Sequence, residues 1–520
     1  MRLQLARALL AYDVFIIAVM MLVFSLVFFQ INIDDAYITF RYGANWAAFS
    51  TWNWNPEGER VEAYTNFSYA LLSIIPHALN ISTYLFMKLV GLVCFILLLL
   101  RVRALCDHDP WLRLLASLMV VANPYLYIHV FSGLETPLYM LLLLELFVQT
   151  GRLMGEAGKH HPSYHAALLL LLPLTRPDGA IFSVVSLGVW FYFQRGQIFK
   201  CLMLWLCGLL ALAYMAWRIH YFGHLLPNTF YLKSGLSDGL IESVFNLTES
   251  RMYLAAIAVS IWCIRAPAYR VVAAAAVMTH LLAYVDSKLA MNYADRFFLQ
   301  LYVPVLLYGA HFVARGMVAK WPPVSISAYL VMGILHILPC YDSNKLYEMM
   351  VEWNKTQDSY RYIGQGLAPY RDQSYRLMVA EAGSIPYYSG WQTIDFGGLA
   401  DVTIAHHGNS MSYMEQVSPD VIILYATGYG EDSLLVQARD YHVIDEYIRQ
   451  SGLYEYAGTV RTSDKHYMAF YVKHSIGDAG AIKAVIQQLI ERGRSLYDRR
   501  DVKGAVARLI SFEYAYYPNP

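Results

Sequence analysis

The chain of 520 residues is 57% hydrophobic and only 15% charged, with a mean hydropathy of +0.37. Soluble domains carry roughly a quarter charged residues, so this chain lacks the surface of a soluble enzyme or a disordered protein. Lys+Arg and Asp+Glu are equal at 39 each. With no basic field to attract a phosphate backbone, nucleic acid is excluded as a partner.

In chain order, the opening from Met1 to Gln30 carries Arg2 and Arg7 and then a long apolar run. The run is too long for the core of a signal peptide, and no small-x-small cleavage site follows, so it reads as an uncleaved first span. Further apolar runs fall at 84–100, 112–130, 137–150, 164–175, 179–194, 201–219, 252–264, 271–285, 297–314 and 323–339. Each approaches the roughly 20 residues that a bilayer crossing needs, giving about eleven transmembrane helices. Placing the N-terminus in the cytoplasm puts Arg101, Arg103, Arg113, Arg152, Lys159, Arg195, Lys200, Arg265, Arg270, Arg315 and Lys320 in inner loops. That agrees with the positive-inside rule. The first outer loop is then 32–83, and its apolar segment Asn66–Leu79, interrupted by Pro76, reads as a helix at the outer interface. From Tyr341 the character changes. Asp420–Tyr425 and His466–Val472 alternate like strands, and 479–493 and 499–512 read as helices. The expected fold is a mainly α polytopic membrane domain, 1–340, followed by a soluble α/β domain outside the cytoplasm, 341–520. The six cysteines have no metal-ligand spacing, which argues against a zinc site or a structural disulfide.

The unusual polar residues gather at the outer end: Asp34, Asp35, Arg41, Glu57 to Glu62, Glu135, Arg176, Asp178, His220, His224, Lys233, Asp295 and Arg296. Ionisable groups at the ends of membrane helices are costly and mark function. Asp34 and Asp35 repel one another, so either they serve a metal, a basic partner or a proton, or one merely caps the helix beginning at Ala36. Arg60, Arg176, Lys233 and Arg296 together suit an anionic headgroup, although the three arginines have acidic neighbours with which to pair: Arg60 with Glu57 or Glu62, Arg176 with Asp178, and Arg296 with Asp295. His224 is a weaker member of that set. Trp46, Trp52 and Trp54 suit packing better than sugar stacking.

The stretch Asp34-Asp35-Ala36-Tyr37-Ile38-Thr39-Phe40-Arg41-Tyr42, with Asn55-Pro56-Glu57-Gly58-Glu59-Arg60-Val61-Glu62-Ala63-Tyr64-Thr65-Asn66, resembles the first outer loop of GT-C glycosyltransferases. It is most similar to the branch that includes the mycobacterial terminal β-(1→2) arabinofuranosyltransferase. Shorter blocks follow in the same order: Gly133-Leu134-Glu135-Thr136, Thr175-Arg176-Pro177-Asp178-Gly179, Leu226-Pro227-Asn228-Thr229 with Lys233, Asp295-Arg296-Phe297, and Ala382 to Gly390, then Asp395 and Asp401. The chain departs from the branch at Ala48 to Trp52 and at Ala63, where relatives carry glycines.

The resemblance implies a multi-span enzyme that moves a sugar, arabinofuranose or another pentose or hexose, from a polyprenyl-phosphate donor to a cell-envelope glycan or glycolipid. The site would open on the periplasmic side of a bacterial inner membrane. On that reading Asp34 is the first choice for the base and Asp35 its partner. Arg176, Lys233 and Arg296, with Arg60 and His224 behind, would hold the donor phosphate. The matched blocks make Glu62, Tyr64, Glu135, Asp178, Asn228, Tyr387, Tyr388, Asp395 and Asp401 the acceptor- and sugar-facing candidates; a turn around Gly397-Gly398 would explain Asp395 and Asp401 equally well. The sequence specifies no cofactor; a divalent cation is compatible with the acidic pair, but no full ligand set is legible. Two rivals share the outline, a lipid-linked sugar flippase and an envelope polymer ligase. Against a transporter, the spans hold few charges (Asp13, Lys88, Glu145), and no repeated halves are visible.

Overall fold

The computed structural model describes residues 12–107, 109–155, 159–233, 267–283, 292–314, 334, 337–434 and 441–497. The predicted runs 252–264 and most of 323–339, and the predicted helix 499–512, lie outside these residues.

The first part is helical. Helices Asp13–Phe28, Thr83–Leu105, Thr136–Leu153, Pro162–Thr175, Gly179–Ile198, Leu202–Phe222, Pro267–Ala283 and Arg296–Ala314 match predicted runs within a few residues. Two of the described helices, Thr83–Leu105 and Leu202–Phe222, are by themselves long and apolar enough to cross a bilayer, or three with one bent pair. The count of eleven thus exceeds what the described helices meet. The bent pair corrects one expectation. The run 112–130 is not one helix but Pro110–Val121 and Pro124–Phe131, turned by 59°. Asn123 accepts from the N–H groups of Tyr125 and Leu126 and so caps a new helix, with Pro124 at its first position. A proline there cannot donate to the preceding turn.

The bundle buries a continuous core including Phe95, Leu98, Tyr127 and Leu143. Packing is close: at Gly91 an added Cβ would lie 2.2 Å from the carbonyl oxygen of Val130. Leu89, Val93, Leu97, Leu209, Leu210 and Leu212 remain exposed along the helices, an apolar surface of the kind that marks a membrane or partner interface. The two ends of the bundle carry separate charge networks. At the end predicted to be cytoplasmic, Asp13 pairs with Arg103 and Arg113, and Arg101 pairs with Glu145. At the other end, Glu135, Arg176, Asp178 and Arg296 meet.

The segment predicted as an interfacial helix forms two short ones, Phe67–Leu72 and Ile74–Ala78, with Leu71, Ile75 and Leu79 exposed. Beyond the bundle lies a five-stranded sheet in the order β2-β1-β3-β5-β4: β1 is Arg376–Val379, β2 Gln392–Asp395, β3 Val421–Ala426, β4 Tyr454–Arg461 and β5 Tyr467–Lys473. β1 runs parallel to β2 and β3, whereas β5 is antiparallel to β3 and β4. Helices cover both faces, and two cores follow, one with Ile363, Val379 and Ile486 and one with Met378, Ile444 and Leu424. The predicted strands and the helix from 479 are present, within one or two residues at their starts.

Candidate functional site

The helix Asp34–Phe49 begins where the first long helix ends, and it holds the sheet domain against the bundle. Asp34 is 9% exposed. Its Oδ1 accepts from the N–H and the hydroxyl of Ser384, both at 2.7 Å, and its Oδ2 accepts from the N–H of Gly383 at 3.0 Å. Gly383 has no side chain for a reason: a Cβ there would stand 2.2 Å from the Asp34 carbonyl oxygen and 2.3 Å from Oδ2. Burial pushes the Asp34 carboxyl up to about 6, against the pull of these donors. Further along, Asn55 donates to the Thr393 carbonyl at 2.8 Å and accepts from the Thr393 N–H at 3.0 Å. Tyr37 packs on Tyr387 and Tyr388 with ring centroids 5.2 and 5.4 Å apart. The longest matched block is therefore also the joint between the two domains.

Asp35, half-buried, lies within electrostatic reach of Arg296, Tyr293 and Glu381. Through them it connects to a second cluster. Glu135, 1% exposed, accepts through Oε1 from Arg176 at 2.7 Å and from Arg296 at 2.8 Å, and through Oε2 from Asn66 at 2.7 Å. Burial alone would raise Glu135, but Arg296 and Arg176 prevail and hold it near 2. Arg176 also meets Asp178 at 3.0 Å, and Gln300 donates to the same carboxylate at 3.1 Å. The pairing of Arg176 with Asp178 was legible from their adjacency; the shared Glu135, more than forty residues away, was not.

The approach to Arg296 is strained. Ala294 and Asp295 have φ of +46° and +51°, a left-handed conformation that costs a non-glycine residue about 1–2 kcal/mol. Backbone strain of this kind persists where surrounding structure enforces it. Here the Ala294 carbonyl is held by His129 at 3.0 Å. Arg296 Nε and the Tyr293 hydroxyl are buried with no hydrogen-bond partner among the described residues.

The remaining candidates are dispersed. Glu62 is buried against Arg218, a cation that the sequence reading passed over, at 2.6 and 2.8 Å. Burial pushes Glu62 up to about 7 even so. Tyr64 is buried and accepts from Trp52. Trp52 and Trp54 are core residues, and Trp46 is exposed. Arg60 lies over the Tyr221 ring, 4.5 Å from its centroid. His224 stacks on His406 at 5.0 Å. Asn228 donates to the carbonyls of Gly398, Leu399 and Asp401, clamping the sheet domain. Lys233 ends the helix Asn228–Lys233; its side chain lies outside the described part. Asp395 is fully buried and accepts from the N–H groups of Gly397 and Ala400, so it builds the turn. Asp401 caps the helix Val402–His407 through Ile404 and accepts from Tyr413. It also lines a cavity of about 270 Å³ with Asn55, Glu59, Thr393, Tyr413 and Arg376, between the first outer loop and the sheet domain. Among the described residues no three His, Cys, Asp or Glu side chains converge as metal ligands.

Residues 348–471 match the family described as Domain of unknown function (DUF8728). No curated protein matches the chain by sequence. In structure the chain is similar to ArnT from Cupriavidus metallidurans in the apo state, with a TM-score of 0.50 and 11% identity over 88% of this chain and 97% of that one. At this identity the likeness is one of fold. A second similar structure is the Archaeoglobus fulgidus oligosaccharyltransferase in the apo form, with a TM-score of 0.41 and 10% identity over 78% of this chain and 69% of that one. In this fold the acidic pair, the Glu135 cluster and the sheet domain all meet at one end of the bundle.

Proposed function

We propose that the protein is a membrane glycosyltransferase that moves a sugar from a polyprenyl-phosphate donor to a hydroxyl of a cell-envelope glycan or glycolipid, on the extracytoplasmic face. One observation carries the reading: within a fold shared with ArnT, Asp35 lies in electrostatic range of Arg296, beside the unpartnered donors Arg296 Nε and Tyr293 OH. A carboxylate and a set of cationic donors are the two elements that sugar transfer from a lipid phosphate requires.

In the step, the acceptor oxygen attacks the anomeric carbon, and its proton passes to a carboxylate. The bond from that carbon to the phosphate oxygen breaks, and its electron pair leaves with the phosphate. Donors placed in advance stabilise that charge. Arg296 and Tyr293 fill this role in our reading, with Glu135, itself bonded by Arg176, fixing the guanidinium of Arg296. Asp34, with three donors already on its oxygens, acts as the anchor of the helix, and Asp35 takes the proton. A single displacement inverts the anomeric centre. The cavity beside Glu59 and Asp401 is the assigned entry for the acceptor glycan.

The test is release of lipid phosphate from a radiolabelled polyprenyl-phosphate sugar by purified protein. D35N is expected to abolish release while the protein melts as wild type. Release retained by D35N but lost in a folded D34N returns the base to Asp34. No release with any lipid donor favours the flippase or the ligase.

A further inference from the structure

Among the described residues, the buried arginines other than Arg41 meet carboxylates: Arg176 and Arg296 meet Glu135, Arg218 meets Glu62, and Arg361 meets Asp358. Arg41 differs. It is 3% exposed, and its partners are all neutral: the Trp54 carbonyl at 2.6 Å, the Trp391 carbonyl at 2.7 Å and Asn55 Oδ1 at 3.0 Å, with the Trp54 ring at 4.5 Å. Its Nη1 has no hydrogen-bond partner among the described residues. An uncompensated buried cation is expensive, and burial holds this guanidinium below the usual arginine range, at about 9.

Arg41 lines a cavity of about 310 Å³ between the helix Asp34–Phe49 and the helix Ser384–Ser389 of the sheet domain. A second arginine, Arg371, stands at the rim, exposed, beside Gly390. Asn80 and Tyr387 add polar groups, and no Asp or Glu is among the described lining residues. The opposite wall is the exposed end of the outer helix, with Ala47 and Phe49. Phe49 and Leu79 project outward nearby, 64% and 63% exposed, as side chains at a membrane surface do. None of the lining residues belongs to the cluster around Glu135.

We propose that this cavity is an anion-binding site for a phosphate-type oxyanion, in which Arg41 supplies the buried countercharge and Arg371 closes the rim. Arginine suits this role because its planar donors match phosphate oxygens in pairs. The phosphate could be that of an anionic lipid headgroup or a soluble one, and the site is independent of the sugar-transfer reading.

The full-length protein is placed in phosphatidylcholine nanodiscs and titrated calorimetrically with inorganic phosphate. In a parallel arm, native mass spectrometry counts phosphatidylglycerol retained from mixed micelles. R371Q removes the rim cation, and A47E sets a carboxylate on the exposed wall; both spare the hydrogen bonds of Arg41, and melting curves check the fold. Saturable phosphate binding that weakens at least tenfold in both variants establishes a site for soluble anions. Lipid retention lost in both variants, without phosphate binding, establishes a headgroup site. Binding of neither probe to the wild type, or binding unchanged in the two folded variants, overturns the proposal.

Discussion

Replacing Glu135 by Gln strikes a buried ion cluster at the end of the bundle that meets the sheet domain. Glu135 is held near 2, against an ordinary value of 4.5, and each unit is worth about 1.36 kcal/mol. Its ionised form therefore contributes about 3 kcal/mol to the folded state at neutral pH. The geometry gives a second route to the figure. In E135Q one amide oxygen can still face Arg176 and Arg296, but the amide NH₂ then faces the NH₂ of Asn66. Turning Asn66 over relieves that clash, its oxygen accepting from the new NH₂ and its own NH₂ donating to the Thr39 hydroxyl, which in the wild type donates to Oδ1 at 2.9 Å. Two arginines are still left sharing one neutral oxygen, and breaking a buried ion pair costs about 3–5 kcal/mol. The expected loss is thus about 3–5 kcal/mol, measured by reversible unfolding in mixed detergent micelles. Because the folded value is depressed, the contribution is fully present above pH 4.5 and is lost only as pH falls through about 2, so the deficit of E135Q is flat from pH 5 to 8. Adding R296M should recover at least ~1 kcal/mol by removing one stranded cation. A loss below ~1 kcal/mol in E135Q alone would refute the reasoning.

The other predictions concern the joint and the strained turn. D34A orphans three donors, at about 1–3 kcal/mol each, so it should accelerate hydrogen exchange across 383–389; unchanged exchange there would remove Asp34 from the joint. Burial raises Glu62 and Asp395 to about 7 in the folded protein, so the stability present when they are protonated is lost as pH rises through 7. The melting temperature of the wild type, taken relative to E62Q so that the opposing titration of His77 and His160, both held down to about 4, cancels, is therefore expected to fall from pH 6.5 to 8; a rising difference contradicts the assignment. A294G relieves left-handed strain and should raise stability by about 1 kcal/mol, while D395N, which sets an amide against two backbone N–H groups, should lower it by about 1–3 kcal/mol; equal melting of both variants and wild type would sink both.

Much of the helical half was legible because apolar runs and loop charges are one-dimensional signals. Arg101, Arg103 and Arg113 pair with Glu145 and Asp13 at one end of the bundle, and Arg176 and Arg296 pair with Glu135 at the other. The bend at Asn123-Pro124 was also written in the chain, yet hydropathy averages over it, since Asn123 is one polar residue between apolar neighbours. Distant pairings were not visible: Glu135 reads as one acid in a loop, and nothing in its neighbours announces Arg296 or Asn66. Nor does Arg41 stand out from other loop arginines, because what distinguishes it is the lack of a countercharge.

By itself the amino-acid order determined that this is an apolar helical protein with an α/β extension and an acidic pair at one helix end, since composition and periodicity act locally. Tertiary structure alone decided which of those acids is enclosed and which cations lack a partner. A carboxylate's state is set by donors brought from hundreds of residues away, and only the folded chain brings them together.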